Sequence, residues 1–179
     1  NTQGHTTVKN AAPDGNTIML ATAALLTQYV SGNSDVNPLE DLTLIATLDD
    51  NGYSVLAVPV DAPYNTFEEF VTYAKANPGK VTLGNAGATA TTGVVAYGLN
   101  VACDSIFNVV NFNGGKELIP AVLGGHCDVG IFSQSEVKAN IDGLLPVAFL
   151  GDGHSVVAEF TEVPNLAEAG YPDLVVPGG

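Results

Sequence analysis

The sequence predicts an α/β protein. Short apolar runs rich in β-branched residues alternate along the chain with amphipathic stretches that carry helix start and stop signals. Strands that alternate with helices indicate parallel pairing with right-handed crossovers. Several of the apolar runs also lack polar alternation, which indicates a sheet covered on both faces.

The predicted strands are short and bounded by turn residues. In chain order they are residues 16–22, 42–48, 53–60, 80–85, 106–112, 128–132 and 146–151. The first follows the turn signal Pro13-Asp14-Gly15. The third is long enough for us to expect that it leaves one sheet and enters another.

The predicted helices lie between these strands, at residues 67–76, 91–99, 116–123, 135–141 and 165–170. Thr66 and Glu69 have the spacing of a capping box, in which each side chain satisfies the other residue's backbone N–H. One face of the first helix is apolar at helical spacing, and it comprises Phe67, Phe70, Val71 and Ala74. Pro120 within the third helix predicts a kink or a later start.

Composition and charge exclude several classes of protein. The chain has 179 residues, of which 46% are hydrophobic and 13% charged, and this is typical of a folded protein. It has 19 acidic residues against five lysines and no arginine, with a formal net charge of -14. Such a surface repels nucleic acid and anionic membranes, so we expect neither partner. No apolar run approaches the ~20 residues that span a bilayer, so we expect no direct membrane insertion.

Three strand-to-helix loops consist of small and hydroxyl residues. They are Thr22-Ala23-Ala24, the loop from Ala86 to Thr92 and the loop Asn113-Gly114-Gly115, which precedes Lys116. Ligands of open α/β sheets bind at the carboxyl ends of strands, and a helix N-terminus can receive an anion without a basic residue. The alternative is that a threonine caps its own helix and that each loop is an ordinary connection.

The sequence contains no recognisable catalytic constellation. His126, Cys127 and Asp128 are adjacent, but neighbours on a strand point to opposite faces. The chain has no GxSxG, HExxH or CxxC spacing. We therefore expect no enzyme activity, no catalytic residue, no metal and no cofactor.

The two cysteines, Cys103 and Cys127, each precede a predicted strand. If these two strands are parallel neighbours, their starts lie side by side, within the Cα separation that a disulfide requires. We hypothesise that the two residues are bonded, which would imply an exported protein.

Several stretches together carry a family resemblance. They are "NAAPDGNTIMLAT", "PLEDLTLIATL", "VLAVPVDAPYNTFEEFVTYAKANPGKVTLGNAG", "GGKELIPAVLGGHCDVGIF" and "FTEVPNLAEAGYPDL". In this order the chain resembles the extracytoplasmic solute receptors of tripartite tricarboxylate transporters, the Bug family. The resemblance covers essentially the whole chain, and residues 55–87 are its most specific part.

The resemblance implies a type II periplasmic-binding-protein fold, in which two α/β lobes are joined by crossing hinge strands and close on a ligand in the cleft. Residues 1–58 would form part of lobe one and residues 59–174 lobe two, while residues 175–179 would begin the return crossing. The first strand and glycine-rich loop of the family, and the C-terminal part of lobe one, are missing from this sequence. We therefore expect a truncated chain that has lost its signal peptide.

The resemblance also implies a function. Family members bind small carboxylates in the periplasm and deliver them to membrane permease subunits, and they usually work as monomers. Carried over by position, the ligand contacts would be Thr22, Ala23, Ala24, Ala86, Gly87, Ala88, Thr89, Ala90, Thr91, Asn113 and Gly114. Asn113 stands where the family commonly has a basic residue, with Lys116 as a possible substitute. The alternative function is a ligand-sensing effector domain of a regulator with the same fold.

Overall fold

The computed structural model describes residues 2–22, 24–46, 54–104, 106–151, 153–155 and 157–172. The chain divides into two compact units, with the described residues up to 46 in the first and those from 54 onward in the second. Residues 54–58, which the resemblance assigns to lobe one, belong to the second compact unit, and the lobe boundary after residue 58 stays a prediction. The expected return crossing at residues 175–179 lies outside the described residues.

The first unit contains two helices, α1 (Thr2–Lys9) and α2 (Ala24–Val30). Lys9 at the end of α1 holds the loop that follows α2, because its Nζ lies 2.6 Å from the Asp41 carboxylate and donates to the Asp35 carbonyl at 3.2 Å. Asp41 also accepts the Asn37 N–H at 2.8 Å. These hydrogen bonds, first from Lys9 and then from Asn37, lower the pKa of Asp41.

Among the described residues of the first unit, residues 16–22 and 42–46 do not form the strands expected at 16–22 and 42–48. The described residues 16–22 and 42–46 carry no ladder hydrogen bonds, and residues 47 and 48 lie outside the described part of the chain. Leu20 and Leu44 are 80% and 84% exposed. A strand needs a hydrogen-bonded partner, and the described residues of this unit provide none for either segment.

The second unit is built from alternating strands and helices. They are β1 (Ser54–Pro59), α3 (Phe67–Ala76), β2 (Thr82–Asn85), α4 (Thr91–Ala102), β3 (Asn108–Asn111), α5 (Gly115–Leu123), β4 (Val129–Ser133), α6 (Gln134–Ala139) and β5 (Leu144–Phe149), followed by a short 3-10 helix (Ala158–Phe160). Among the described residues, no helix has the length and apolar character needed to cross a bilayer.

The strands form one sheet in the order β3-β2-β4-β1-β5. The parallel pairing predicted from the alternation is confirmed for β2, which pairs with β3 and β4. It is wrong for β1, which is antiparallel to both β4 and β5. The hydrophobic pattern of a strand identifies its faces but not its direction, because direction depends on the path of the whole chain.

Both faces of the sheet are covered, as the uninterrupted apolar strands predicted. Along β1, Leu56 and Val58 point into one core cluster while Val55 and Ala57 point into the other. The first cluster, which we call the α3/α4 core, includes the buried apolar side chains of those two helices. The second, the α5/α6 core, includes Leu118, Val122 and Val137. The apolar face predicted for α3 is buried in the α3/α4 core.

The capping box predicted for α3 forms only in part. The Thr66 side chain accepts the Glu69 N–H at 3.2 Å, as expected for an N-cap. The Glu69 carboxylate, however, accepts the Asn65 N–H at 2.8 Å, one residue before the N-cap. The carboxylate therefore satisfies a donor that the capping-box pattern does not include.

Two other local predictions are also corrected. Helix α5 begins at Gly115 and continues through Pro120 to Leu123, so the proline does not delay the start of the helix. Residues 165–170 form a turn rather than a helix. There, the backbone N–H of Asn165 donates to the Glu168 carboxylate at 3.0 Å, and the Glu168 N–H donates back to the Asn165 side chain at 2.9 Å. This reciprocal pair closes a single turn.

The expected disulfide between Cys103 and Cys127 is absent, and both residues are free thiols. The expectation required neighbouring strands, but β2 lies between β3 and β4. The two cysteines also lie on opposite faces of the sheet, Cys103 in the α3/α4 core and Cys127 in the α5/α6 core. The sheet itself therefore separates them.

The buried cysteines lead to a testable expectation. Each is 1% exposed, and burial raises the pKa of both thiols, so little reactive thiolate forms in the folded state. We expect slow reaction with a thiol reagent in native buffer and rapid reaction of both thiols in guanidinium chloride without reductant. Failure to find two thiols in denaturant would contradict the free state.

Candidate functional site

Two of the three predicted loops meet at the carboxyl edge of the sheet. Strands β2 and β3 are parallel, and Asn85 pairs with Asn111 at their ends. The pairing continues one step further, because the Phe112 N–H donates to the Asn85 carbonyl at 2.9 Å. A methyl group on Gly87 would lie 3.8 Å from the Phe112 carbonyl oxygen. The loop at residues 86–90, which we call the first loop, and the loop at residues 112–114, which we call the second loop, are therefore neighbours.

Three backbone N–H groups of the first loop donate hydrogen bonds to acceptors within the protein. The Ala86 N–H donates to the Thr92 hydroxyl at 3.2 Å, and the Gly87 N–H donates to the Asn85 side-chain oxygen at 2.9 Å. The Ala90 N–H donates to the Gly87 carbonyl at 3.0 Å. Ala90 is the N-cap of α4 and makes no side-chain capping bond, so the alternative of a threonine cap is wrong.

Three other backbone donors point to an anion site. Within the described part of the chain, the N–H groups of Ala88, Thr91 and Thr92 donate to no protein acceptor. They lie at the positive end of α4, a helix of 12 residues. Residues 83–99 contain no charged side chain, so this segment itself brings no charge to that end of the helix. Backbone amides in this arrangement bind carboxylate or phosphate oxygens.

Two glycines allow the first loop to pack on α4. A methyl group on Gly93 would overlap the Gly87 carbonyl oxygen and lie 2.8 Å from that of Ala88. Gly87 itself has φ +140°, a conformation that side chains disfavour. The small residues of this segment therefore bring the loop backbone against the first turn of the helix.

The second loop differs because carboxylates of the protein already lie beside it. Gly114, with φ +114°, is the N-cap of α5. The backbone and side-chain N–H groups of Asn113 donate to the Glu117 carboxylate at 3.1 and 3.2 Å. A methyl group on Gly115 would overlap the carboxylate of Glu136 from α6. Two carboxylates of the protein therefore lie beside this loop, whereas residues 83–99 carry no charged side chain.

The remaining predicted contacts are distributed as follows. Thr22 and Ala24 belong to the first unit, where Thr22 is exposed and Ala24 begins α2. Ala23 lies outside the described residues. Lys116 is exposed and makes no ion pair with any described residue.

Two polar residues that support these loops are not among those predicted from the sequence. Asn85 is completely buried at the end of β2, and Asn111 occupies the same place on β3. The Asn111 side chain donates to the Tyr97 hydroxyl of α4 at 2.9 Å. The available signal was an asparagine closing each of two apolar strands, where an apolar residue would complete the pattern.

The adjacent residues His126, Cys127 and Asp128 do not form a reactive cluster. His126 and Asp128 are exposed, while Cys127 lies in the α5/α6 core. The Asp128 carboxylate accepts the backbone N–H and hydroxyl of Thr82 at 2.7 and 2.6 Å, which anchors the start of β2. Among the described residues, no group of three or more His, Cys, Asp or Glu side chains is placed to hold a metal ion.

The chain has the fold of periplasmic solute-binding proteins. A TctC solute-binding protein from Polaromonas matches with a TM-score of 0.71 and 26% identity, over 96% of this chain and 57% of its own. MatC from Rhodopseudomonas palustris, with bound malate, matches with a TM-score of 0.79 and 22% identity, over 99% and 60%. The R. palustris protein Rpa4515, solved with adipate, matches with a TM-score of 0.83 and 16% identity, over 99% and 60%. At these last two identities the likeness establishes the fold alone.

Residues 1–178 match the tripartite tricarboxylate transporter family receptor, and the chain belongs to this family. The resemblance identified from the sequence is thus confirmed. A curated relative, the UPF0065 protein in the gbd 5' region of Cupriavidus necator, is 33% identical over 171 residues, which are 91% of this chain and 49% of that protein. The chain spans about half the length of the curated relatives it matches.

The bond between Thr92 and the Ala86 N–H provides a test of the loop geometry. Thr92→Val removes the acceptor and leaves a partly buried donor unsatisfied, so we expect a loss of about 1–3 kcal/mol in the free energy of unfolding. Thr92→Ser retains the hydroxyl and should recover most of this loss. Urea denaturation measures both, and equal stability of the two variants would contradict the assigned bond.

Proposed function

We propose that this chain is the ligand-binding part of an extracytoplasmic receptor that captures a small carboxylate and passes it to membrane permease subunits. Membership of a receptor family of tripartite transporters supports this function. Two proteins of the same fold were solved with malate and with adipate, both of which are dicarboxylates. A receptor that serves an importer meets its solute outside the cytoplasmic membrane, so we place the protein in the periplasm, as a monomer.

The observation that carries the proposal is the set of N–H groups at the start of α4. Those of Ala88, Thr91 and Thr92 have no acceptor among the described residues and lie in a segment without charge. Hydrogen bonds to a charged group contribute about 1.5–3 kcal/mol each, and the helix terminus adds about 0.3–1 kcal/mol. A carboxylate can therefore be held here without a basic side chain.

The second loop would contact the rest of the ligand. Gly114 presents only backbone, while Asn113 is already hydrogen-bonded to Glu117. Position 113 carries no basic residue, the Glu117 carboxylate lies beside it, and the Lys116 side chain is exposed on α5. We assign the ligand's carboxylate to the first loop for this reason.

A thermal-shift screen against small mono-, di- and tricarboxylates tests the function. A ligand at 100 times its dissociation constant should add about 2.7 kcal/mol of apparent stability, which is a clear rise in Tm. Chloride at matched ionic strength is the control for a general salt effect. A flat response to every carboxylate would contradict the proposed function.

The Thr91 side chain provides a test of the site. Thr91→Val removes a hydroxyl from the first residue of α4, and we expect carboxylate affinity to fall by roughly 1–3 kcal/mol if that hydroxyl bonds the ligand. Thr72→Val, an exposed position on α3, is the matched control and should bind as the wild type does. Calorimetric titration that finds equal affinity for all three proteins would remove Thr91 from the site.

A further inference from the structure

Asn85 is a buried polar side chain whose hydrogen bonds all lie at the candidate site. It is 0% exposed, at the last position of β2. Its oxygen accepts the Gly87 N–H at 2.9 Å. Its nitrogen donates to the Val110 carbonyl at 3.3 Å and to the Asn111 side-chain oxygen at 2.9 Å. Because a backbone N–H can only donate, the oxygen must face Gly87, and this fixes the orientation of the amide.

The bond from the Gly87 N–H to Asn85 helps to determine which backbone N–H groups of the loop have no acceptor. Asn85 takes the Gly87 N–H, and the Thr92 hydroxyl takes the Ala86 N–H. The N–H groups that then lack an acceptor among the described residues are those of Ala88, Thr91 and Thr92. Because glycine has no side chain to restrict its backbone, Gly87 is held in its orientation by hydrogen bonds, its N–H to Asn85 and its carbonyl oxygen from the Ala90 N–H.

Asn85 is itself held from the neighbouring strand and helix. The Asn111 side chain that accepts from Asn85 also donates to the Tyr97 hydroxyl at 2.9 Å. A chain of hydrogen bonds thus runs from the Gly87 backbone through two asparagines to α4. Burying an amide costs free energy unless its polar atoms are hydrogen-bonded. The hydrogen bonds of the Asn85 amide all lie at the end of the sheet from which the two loops emerge.

We propose that Asn85 is a positioning residue for the carboxylate site. Its buried amide sets the 86–90 loop so that the three unengaged N–H groups are presented to one anionic group of the ligand. This inference rests on the proposed function. It assigns to Asn85 no direct contact with the ligand.

Asn85→Ala tests the role, with Asn100→Ala as the matched control. Asn100 lies towards the other end of α4 and accepts the Phe107 N–H at 2.9 Å, so it is also an asparagine that holds a loop backbone. With malate and adipate as probes, we expect Asn85→Ala to weaken binding about tenfold or more, the equivalent of one hydrogen bond to a charged group. Asn100→Ala should bind within about twofold of wild type while losing stability through its own bond.

Amide hydrogen exchange supplies a readout that stability alone would not move. Asn85→Ala should speed exchange at Gly87 and leave Phe107 protected, and Asn100→Ala should do the reverse. Should Asn85→Ala fail to fold, Asn111→Ala removes one partner of Asn85 from an exposed position and should produce the same changes to a smaller degree.

The outcomes separate the two proposals. Wild-type affinity and unchanged Gly87 exchange in these variants would overturn the role of Asn85 while leaving the proposed function intact. Absence of malate and adipate binding by the wild-type chain, together with a flat carboxylate screen, would overturn the proposed function and the role of Asn85 with it.

Discussion

The parallel pairing of β2 with β3 is the constraint on which the candidate site depends. It places Asn85 beside Asn111, so that both strands end at one edge and their loops emerge together. The same pairing lets the two asparagine side chains bond one another across the sheet. A shift of β2 by one residue against β3 would turn Asn85 to the opposite face of the sheet and separate it from Asn111.

Close packing against two glycines then shapes the loops. Gly93 admits the loop before α4, and Gly84 admits α5 against the sheet, where a methyl group would overlap Leu118 and come within 2.8 Å of the Cys127 sulfur. Interiors are packed too tightly to accept an added methyl group without movement. The small residues that make residues 83–99 look featureless in the sequence are therefore needed for the geometry of the loop.

Charge acts on two length scales in this protein. The net charge of -14 opposes the approach of an anion from a distance, but at physiological ionic strength the Debye length is only about 8 Å. At contact, hydrogen bonds from N–H groups to a carboxylate contribute about 1.5–3 kcal/mol each. The acidic surface is therefore compatible with the proposed carboxylate ligand, because donation from the start of α4 would act at contact whereas the repulsion is screened beyond a few ångströms.

The sequence by itself determined the local structure: the α/β alternation, the buried face of α3 and the position of the two loops that follow β2 and β3. Hydrophobic periodicity and capping residues carry this information, because they act over a few residues. Only the tertiary structure decided the order and direction of the strands, the placement of Cys103 and Cys127 in opposite cores, and which loop donors remain unengaged. These features depend on groups far apart in the chain, such as Asn85 and Asn111, whose pairing no local pattern records.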